Sequence, residues 1–335
     1  MITTFIRKIL IRTGIDTIVN MEKKLYYIEE GRKNKEVILF IHSNLLGSWI
    51  WEKQRKQFNN YHCIYLDLIE HGKTQIDMNF SIKNCVELIK NLITNDLKGK
   101  KVHLVGIAIG GVIIVDLLYK YPNIIETAII SGVNVKNEVV DEITNRNNVV
   151  DFNKRGGGDV ICETTVNKED QMDIEDINEI AIKIENDENK RIEELLNGMK
   201  ECRISILDKK HPNFIIRGFL AEYGIGKEYF DRLKLSVNVD NFFKITEEHL
   251  KYRVPNKINN FPNLLILYGT KEYPKVVDSA KIIQNHFPRS QVFSIYRAIH
   301  LWNIINYKLF NEIIFEFIKD KAMKNKDFIE KEYLF

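Results

Sequence analysis

Short apolar runs alternate with amphipathic segments along most of the chain. The apolar runs read as buried strands, at 24–29, 37–42, 63–68, 101–105 and 127–131. Strands that are apolar throughout are typical of sheets covered by helices on both faces. Helical spacing over 80–96 and 109–121, the second segment ended by Pro122, supplies such helices. The pattern predicts an α/β fold with a mostly parallel central sheet.

The alternation of strand and helix patterns stops after Gly132. It resumes with a strand at 263–268, a helix at 276–286, a strand at 291–296 and a helix at 304–319. The interruption at 134–262 is too long for a loop inside a compact domain, so we expect a mainly helical cap, with amphipathic helices near 177–184 and 192–199. The predicted organisation is an N-terminal helical extension (1–23), a core (24–133 and 263–320), the cap (134–262) and a C-terminal tail (321–335).

Composition narrows the class of protein. The chain has 335 residues, 44% of them hydrophobic, and a net charge of +3, which gives no field that favours nucleic acid. The four cysteines form no C-x-x-C pair, so neither zinc nor a redox dithiol is expected. The longest apolar run, 104–115, is shorter than the roughly 18–20 residues that span a membrane. We expect a cytoplasmic protein without cofactor or metal.

The first residues place apolar side chains at helical spacing, with Arg7, Lys8 and Arg12 breaking up the stretch. These cations argue against a secretion signal. We interpret 1–12 as a helix docked on the domain or on a partner subunit, with peripheral membrane contact as the alternative. The oligomeric state stays open.

The segment 102–111, V-H-L-V-G-I-A-I-G-G, is the most informative part of the sequence. A buried strand runs through a glycine-rich turn into a helix, in the form G-x-A-x-G. In the nucleophile elbow G-x-S-x-G, the central residue lies in a strained turn that exposes its side chain above the sheet. Here Ala108 occupies the central position, and the hydroxyl is missing.

This elbow resembles that of the α/β-hydrolase superfamily, and three further motifs agree in the family's order. The loop 42–49, H-S-N-L-L-G-S-W, looks like the family's His-Gly-x oxyanion loop, with Ser43 where glycine is usual. The resemblance implies backbone donors to an oxyanion from Ile109 and from this loop, with Asn44 as the first candidate. The stretch 65–74 is similar to the family's Asp-x-x-Gly-His-Gly-x-Ser turn, with Glu70 replacing a glycine. We assign it a structural role.

The resemblance also implies an acid and a base after the later strands. Glu272 follows Gly269 where the triad acid is expected, and His300 precedes the last helix, where the base is expected. In that chemistry the histidine takes the proton of a serine hydroxyl while the carboxylate orients the imidazole. Trp49 and Trp302 are candidates to line a substrate pocket, the alternative being that they wedge between the sheet and its helices.

Three accounts explain an alanine at this position. In the first, the parent protein cleaves acyl esters or thioesters of small molecules, and the chain is a serine-to-alanine variant. In the second, it is a naturally non-catalytic member that binds a ligand or partner. In the third, His300 activates water directly. The substrate cannot be read from the cap sequence.

Overall fold

The computed structural model describes residues 24–136, 216, 226–236, 239–256, 258 and 260–323. The strands are β1 Tyr27–Glu30, β2 Glu36–Ile41, β3 His62–Leu66, β4 Lys101–Ile107, β5 Thr127–Ser131, β6 Asn263–Gly269 and β7 Gln291–Ile295. They form one seven-stranded sheet in the order β1-β3-β2-β4-β5-β6-β7. Only the β1–β3 pair is antiparallel. The predicted α/β fold with a mostly parallel sheet is confirmed.

Helices follow most of the strands. They are α1 Ile82–Asn91, continued by a π-helical turn Leu92–Asp96, then α2 Ile109–Lys120, α3 Phe230–Ser236, α4 Val239–Lys251, α5 Pro274–His286, α6 Trp302–Ile305 and α7 Tyr307–Asp320. Local chemistry sets two of the starts. The Ser81 side chain accepts the Asn84 N–H at 3.0 Å and caps α1. Proline in the first turn of α5 loses no intrahelical hydrogen bond.

The sheet is buried on both faces, as its uniformly apolar strands predict. Along β2, Val37, Leu39 and Ile41 pack into one hydrophobic cluster, and Ile38 and Phe40 pack into the other. The first cluster joins the sheet to α1, α2 and α5, and the second joins it to α6 and α7. A sheet covered on both sides leaves its strand ends as the place for a site.

Several predicted segments lie outside the described residues. These are the N-terminal extension 1–23, the two cap helices expected near 177–199 and residues 324–335. They remain predictions, as do the domain boundaries. Helices α3 and α4 are the described helices of the 134–262 stretch. Among the described helices, none combines the length and apolarity needed to cross a membrane.

Candidate active site

Ala108 lies at the sharp turn between β4 and α2. Its backbone has φ 49° and ψ −116°, a conformation that costs a non-glycine residue roughly 1–3 kcal/mol. The Ala108 N–H donates to the Ser131 carbonyl of β5 at 2.9 Å, and the Ala108 carbonyl accepts the Val112 N–H at 3.0 Å. The segment therefore forms a strand–turn–helix elbow, which carries a methyl group where the resemblance places a nucleophile.

Gly110 allows α2 to begin directly against the end of β2. A Cβ at this position would lie 2.3 Å from the Ile41 carbonyl oxygen and 2.7 Å from that of His42, too close for any side chain. The first turn of α2 therefore lies against the loop that follows β2. Because a helix cannot satisfy its own first-turn amides, the Ile109 N–H is the type of donor that an oxyanion requires.

Glu272 and His300 form a hydrogen-bonded pair at the carboxyl ends of β6 and β7. His300 Nδ1 lies 2.7 Å from Glu272 Oε1, and the side chains are 18% and 2% exposed. The second carboxylate oxygen accepts the Gly269 N–H at 2.7 Å. Since Nδ1–H donates to a carboxylate, a neutral His300 carries its lone pair on Nε2. The structure thus brings together the acid and the base that the resemblance implies.

Gly132 packs against this pair and connects it to the elbow. Its φ is +62°, and a Cβ built there would lie 2.7 Å from Glu272 Oε1 and 2.9 Å from His300 Nδ1. The preceding residue, Ser131, is the one whose carbonyl accepts the Ala108 N–H. One peptide segment therefore contacts both parts of the site, and the acid–histidine pair and the elbow share one edge of the sheet.

The loop after β2 is fixed by its own side chains. His42 Nδ1 donates to the Ser43 carbonyl at 2.7 Å, and His42 Nε2 accepts the Leu68 N–H at 2.9 Å. Burial lowers the pKa of His42, with the charge of Asp67 acting in the opposite direction. His42 is therefore a neutral residue that shapes the loop. The next residue, Ser43, is also buried, with only 8% of its surface exposed.

Asn44 uses its side chain within this loop and toward α4. Its Oδ1 accepts the Leu45 N–H at 2.8 Å, and its Nδ2 donates to Thr246 Oγ1 at 3.3 Å. The oxyanion roles of Asn44 and Ser43 concern atoms that face a substrate, and they stay predictions.

The loop after β3 is built around Asp67. Its Oδ1 accepts the Ser48 N–H at 2.6 Å, and its Oδ2 accepts the Lys73 N–H at 2.8 Å. In the same loop His71 Nδ1 donates to the Ile69 carbonyl at 2.8 Å. Desolvation on burial lowers the pKa of His71 to about 3. These contacts join the loop to the β2 loop and fit the structural role assigned to this stretch.

Helix α4 contributes a histidine that the sequence did not single out. His249 Nε2 donates to the Asn134 carbonyl at 2.8 Å, two residues beyond Gly132. Burial lowers the pKa of His249, and the nearby His300 acts in the same direction. The available signal was spacing, because Phe242, Thr246 and His249 share one face of α4 at i, i+4 and i+7, and the first two contact Asn44.

The two tryptophans occupy different places. Trp49 is partly buried and stacks on Tyr229 with ring centroids 5.7 Å apart, at the junction of the β2 loop and the 134–262 stretch. Trp302 is 1% exposed, and its Nε1 donates to Ser131 Oγ at 2.9 Å. This burial fits the wedging alternative for Trp302 better than a pocket wall. The substrate-binding role of both residues stays a prediction.

Backbone strain concentrates at this edge of the sheet. Of the six described non-glycine residues with positive φ, four lie in loops at the carboxyl ends of strands: Leu45, Glu70, Ala108 and Arg297. Such conformations cluster at functional sites, where the surrounding structure must hold them against their local preference.

Comparison with known proteins agrees with this architecture. A family profile described as the alpha/beta hydrolase fold matches residues 36–157. A curated AB hydrolase superfamily protein of Gibberella zeae is 28% identical over 125 residues, which are 37% of this chain and 44% of the relative. The match thus spans less than half of that relative's length.

Solved structures extend the likeness over most of the chain. A thermophilic esterase from Thermogutta terrifontis superposes with a TM-score of 0.59 at 13% identity, covering 89% of this chain and 94% of the esterase. An esterase from Exiguobacterium antarcticum gives a TM-score of 0.60 at 15% identity, covering 88% and 95%. At these identities the superpositions establish the fold alone. Together with the family profile and the sheet order, they show that the chain has the α/β-hydrolase fold.

Proposed function

We propose that this chain has the architecture of a hydrolase of acyl bonds in small-molecule esters or thioesters, and that Ala108 prevents formation of the covalent acyl-enzyme. Glu272 orients the imidazole, and His300 is the proton-transfer group. Ile109 supplies one oxyanion donor, and the second comes from the loop containing Ser43 and Asn44. Without a hydroxyl to activate, no acyl-enzyme can form.

The observation that carries this proposal is the hydrogen bond between Glu272 and His300 beside Gly132. A carboxylate with a 2% exposed side chain has lost its water, and such burial adds little to stability. The pair is held by a glycine at φ +62° and lies at the same edge as the strained elbow. A carboxylate that is hydrogen-bonded to a histidine Nδ1 in this way is typical of catalytic sites. Two structural neighbours are esterases by name, which supports the same chemistry.

The direct test restores the missing hydroxyl with Ala108→Ser. With p-nitrophenyl esters of short and medium acyl chains, we expect a burst of p-nitrophenol followed by steady turnover. The double variant Ala108→Ser with His300→Ala is the matched control, and its burst should be lost. A folded Ala108→Ser protein with neither burst nor turnover across the panel would contradict the proposal.

The second candidate function is a non-catalytic member that binds a ligand or a partner, and Ala108 itself is the observation that favours it. In that case Ala108→Ser stays inactive, while small acyl compounds raise the melting temperature of the unchanged chain or a partner is recovered in pull-downs. If neither measurement detects binding, this candidate loses its support.

A further inference from the structure

We propose that the chain, with Ala108 as it stands, slowly hydrolyses thioesters and aryl esters by direct attack of a water molecule that His300 activates. This inference rests on the proposed function, because it uses the same acyl substrate and the same edge of the sheet. It differs in the reaction path, which contains no acyl-enzyme.

The first step of the argument is the protonation state of His300. Its Nδ1–H is committed to Glu272 at 2.7 Å, so the proton acceptor of the neutral ring is Nε2. The carboxylate also stabilises the imidazolium that forms when Nε2 takes a proton. A general base therefore persists in the site although the elbow carries no hydroxyl.

The second step concerns the space beside the Ala108 methyl group, where a serine would carry its hydroxyl oxygen. Alanine differs from serine by one oxygen atom, and the elbow keeps the strained φ of 49° that presents this position above the sheet. A water molecule needs about two to four polar partners to stay in such a place. In the proposed path, Nε2 of His300 is the acceptor for this water, and the first-turn amides of α2 are its donors. The missing oxygen is thus replaced by an equivalent one that is not attached to the protein.

The reaction balances without any further reagent. The water oxygen attacks the acyl carbon while one of its protons moves to His300 Nε2, and the carbonyl oxygen becomes an oxyanion facing the Ile109 N–H. When the carbonyl re-forms, the C–S or C–O bond breaks. The leaving thiolate or phenolate takes the proton from Nε2, and the products are a carboxylic acid and a thiol or phenol.

The leaving group limits the class of substrate. Thiols and phenols have pKa values near 8.5 and 10, so their anions leave a tetrahedral intermediate readily. Alkoxides and amide nitrogens are far more basic and leave poorly. General-base catalysis contributes about 10²–10⁴-fold, too little for amides or alkyl esters in one direct step. Thioesters and aryl esters are therefore the substrates expected of this site.

The test uses the unchanged full-length chain with S-phenyl thioacetate and p-nitrophenyl acetate. We expect linear product release above the buffer rate, no burst, and no acylated protein by mass spectrometry. His300→Ala should lower this rate about 10²-fold or more, and Ala108→Leu, which fills the place of the water, should abolish it. The control is His62→Gln, which changes another histidine paired with a glutamate, at 3.0 Å from Glu29 and at the amino end of β3. It should keep the rate within about twofold.

The outcomes separate this inference from the proposed function. If the unchanged chain is no faster than buffer while Ala108→Ser turns over, direct attack is wrong and the proposed function stands. If Ala108→Ser and the unchanged chain are both inactive, the proposed function fails as well. A rate in the unchanged chain that folded His300→Ala retains would overturn the inference, whatever the result for Ala108→Leu.

Discussion

Replacing Gly132 by alanine tests whether the acid–histidine pair is held by the close approach of the backbone. Two effects add at this position. The residue has φ +62°, and the new Cβ would lie 2.7 Å from Glu272 Oε1 and 2.9 Å from His300 Nδ1. Neither neighbour is the free end of a flexible chain, because the two side chains bond to each other. We therefore expect the substitution to separate them.

The magnitude follows from comparison with Gly99, which has φ +81° and nothing within 4 Å of its would-be Cβ. Gly99→Ala shows the backbone effect alone. Left-handed backbone costs roughly 1–2 kcal/mol, and about 0.4–1 kcal/mol of that is offset by the stiffer unfolded chain. Gly132→Ala adds the loss of a hydrogen bond to a buried carboxylate, roughly 1.5–3 kcal/mol. The difference between the two variants should therefore be about 1.5–3 kcal/mol.

Urea denaturation of both variants measures this difference in unfolding free energy. The Nδ1 proton of His300, observed by NMR, reports the bond to Glu272 independently. In the Ala108→Ser background, Gly132→Ala should also lower kcat, while Gly99→Ala leaves it unchanged. The reasoning is refuted if Gly132→Ala and Gly99→Ala lose equal stability and the His300 proton keeps its position.

Three further predictions concern the loops and the core. Glu70 has φ 60° and a buried Oε2 without a hydrogen-bond partner in the described part of the chain. Glu70→Gly should therefore raise the unfolding free energy, measured by urea titration, by about 1 kcal/mol, and a lower unfolding free energy would contradict this. The pKa of His71 falls from 6.5 to about 3 on folding, so the unfolded chain binds more protons than the folded chain between these values. This residue alone should lower the free energy of unfolding by about 1.4 kcal/mol per pH unit as the pH falls below 6.5, and buried His103 acts in the same direction. His71→Gln should reduce the slope by the share of this one residue, and an unchanged slope would argue against His71 as a cause. Trp302→Phe should lower the unfolding free energy by about 1–3 kcal/mol, because the hydrogen bond to Ser131 is lost, and should leave KM unchanged in the Ala108→Ser background. A raised KM at unchanged stability would instead favour a role in the substrate pocket.

Local signals were sufficient for the fold and for the elbow. A strand buried on both faces has to be apolar at every position, so β2 and β4 could be recognised from hydrophobicity alone. The elbow could be recognised because its motif occupies a few consecutive residues, although part of its geometry depends on distant contacts. Gly110 is required by the Ile41 carbonyl, and Ala108 lies between a strand and a helix that are both evident from periodicity.

Other features of the site depend on contacts between distant segments. Glu272 and His300 were placed by family order, but their 2.7 Å separation depends on how β6 and β7 pair. His249 had only its spacing on α4 as a signal, and its contact with Asn134, 115 residues away in the chain, could not be predicted. The sequence could not distinguish the two pocket candidates, because both are tryptophans. Only the packing shows that Trp49 is partly buried and stacked on Tyr229, whereas Trp302 is 1% exposed.

The sequence by itself therefore determined which segments are strands, the turn at Ala108 and the absence of a hydroxyl there, because each is recognised from residues that are close together in the chain. Only the tertiary structure decided that Gly132 contacts the acid–histidine pair and that α4 contacts the β2 loop. The physical reason is that short-range propensities act along the chain. A site made by the ends of several parallel strands depends instead on register and packing, which no single segment contains.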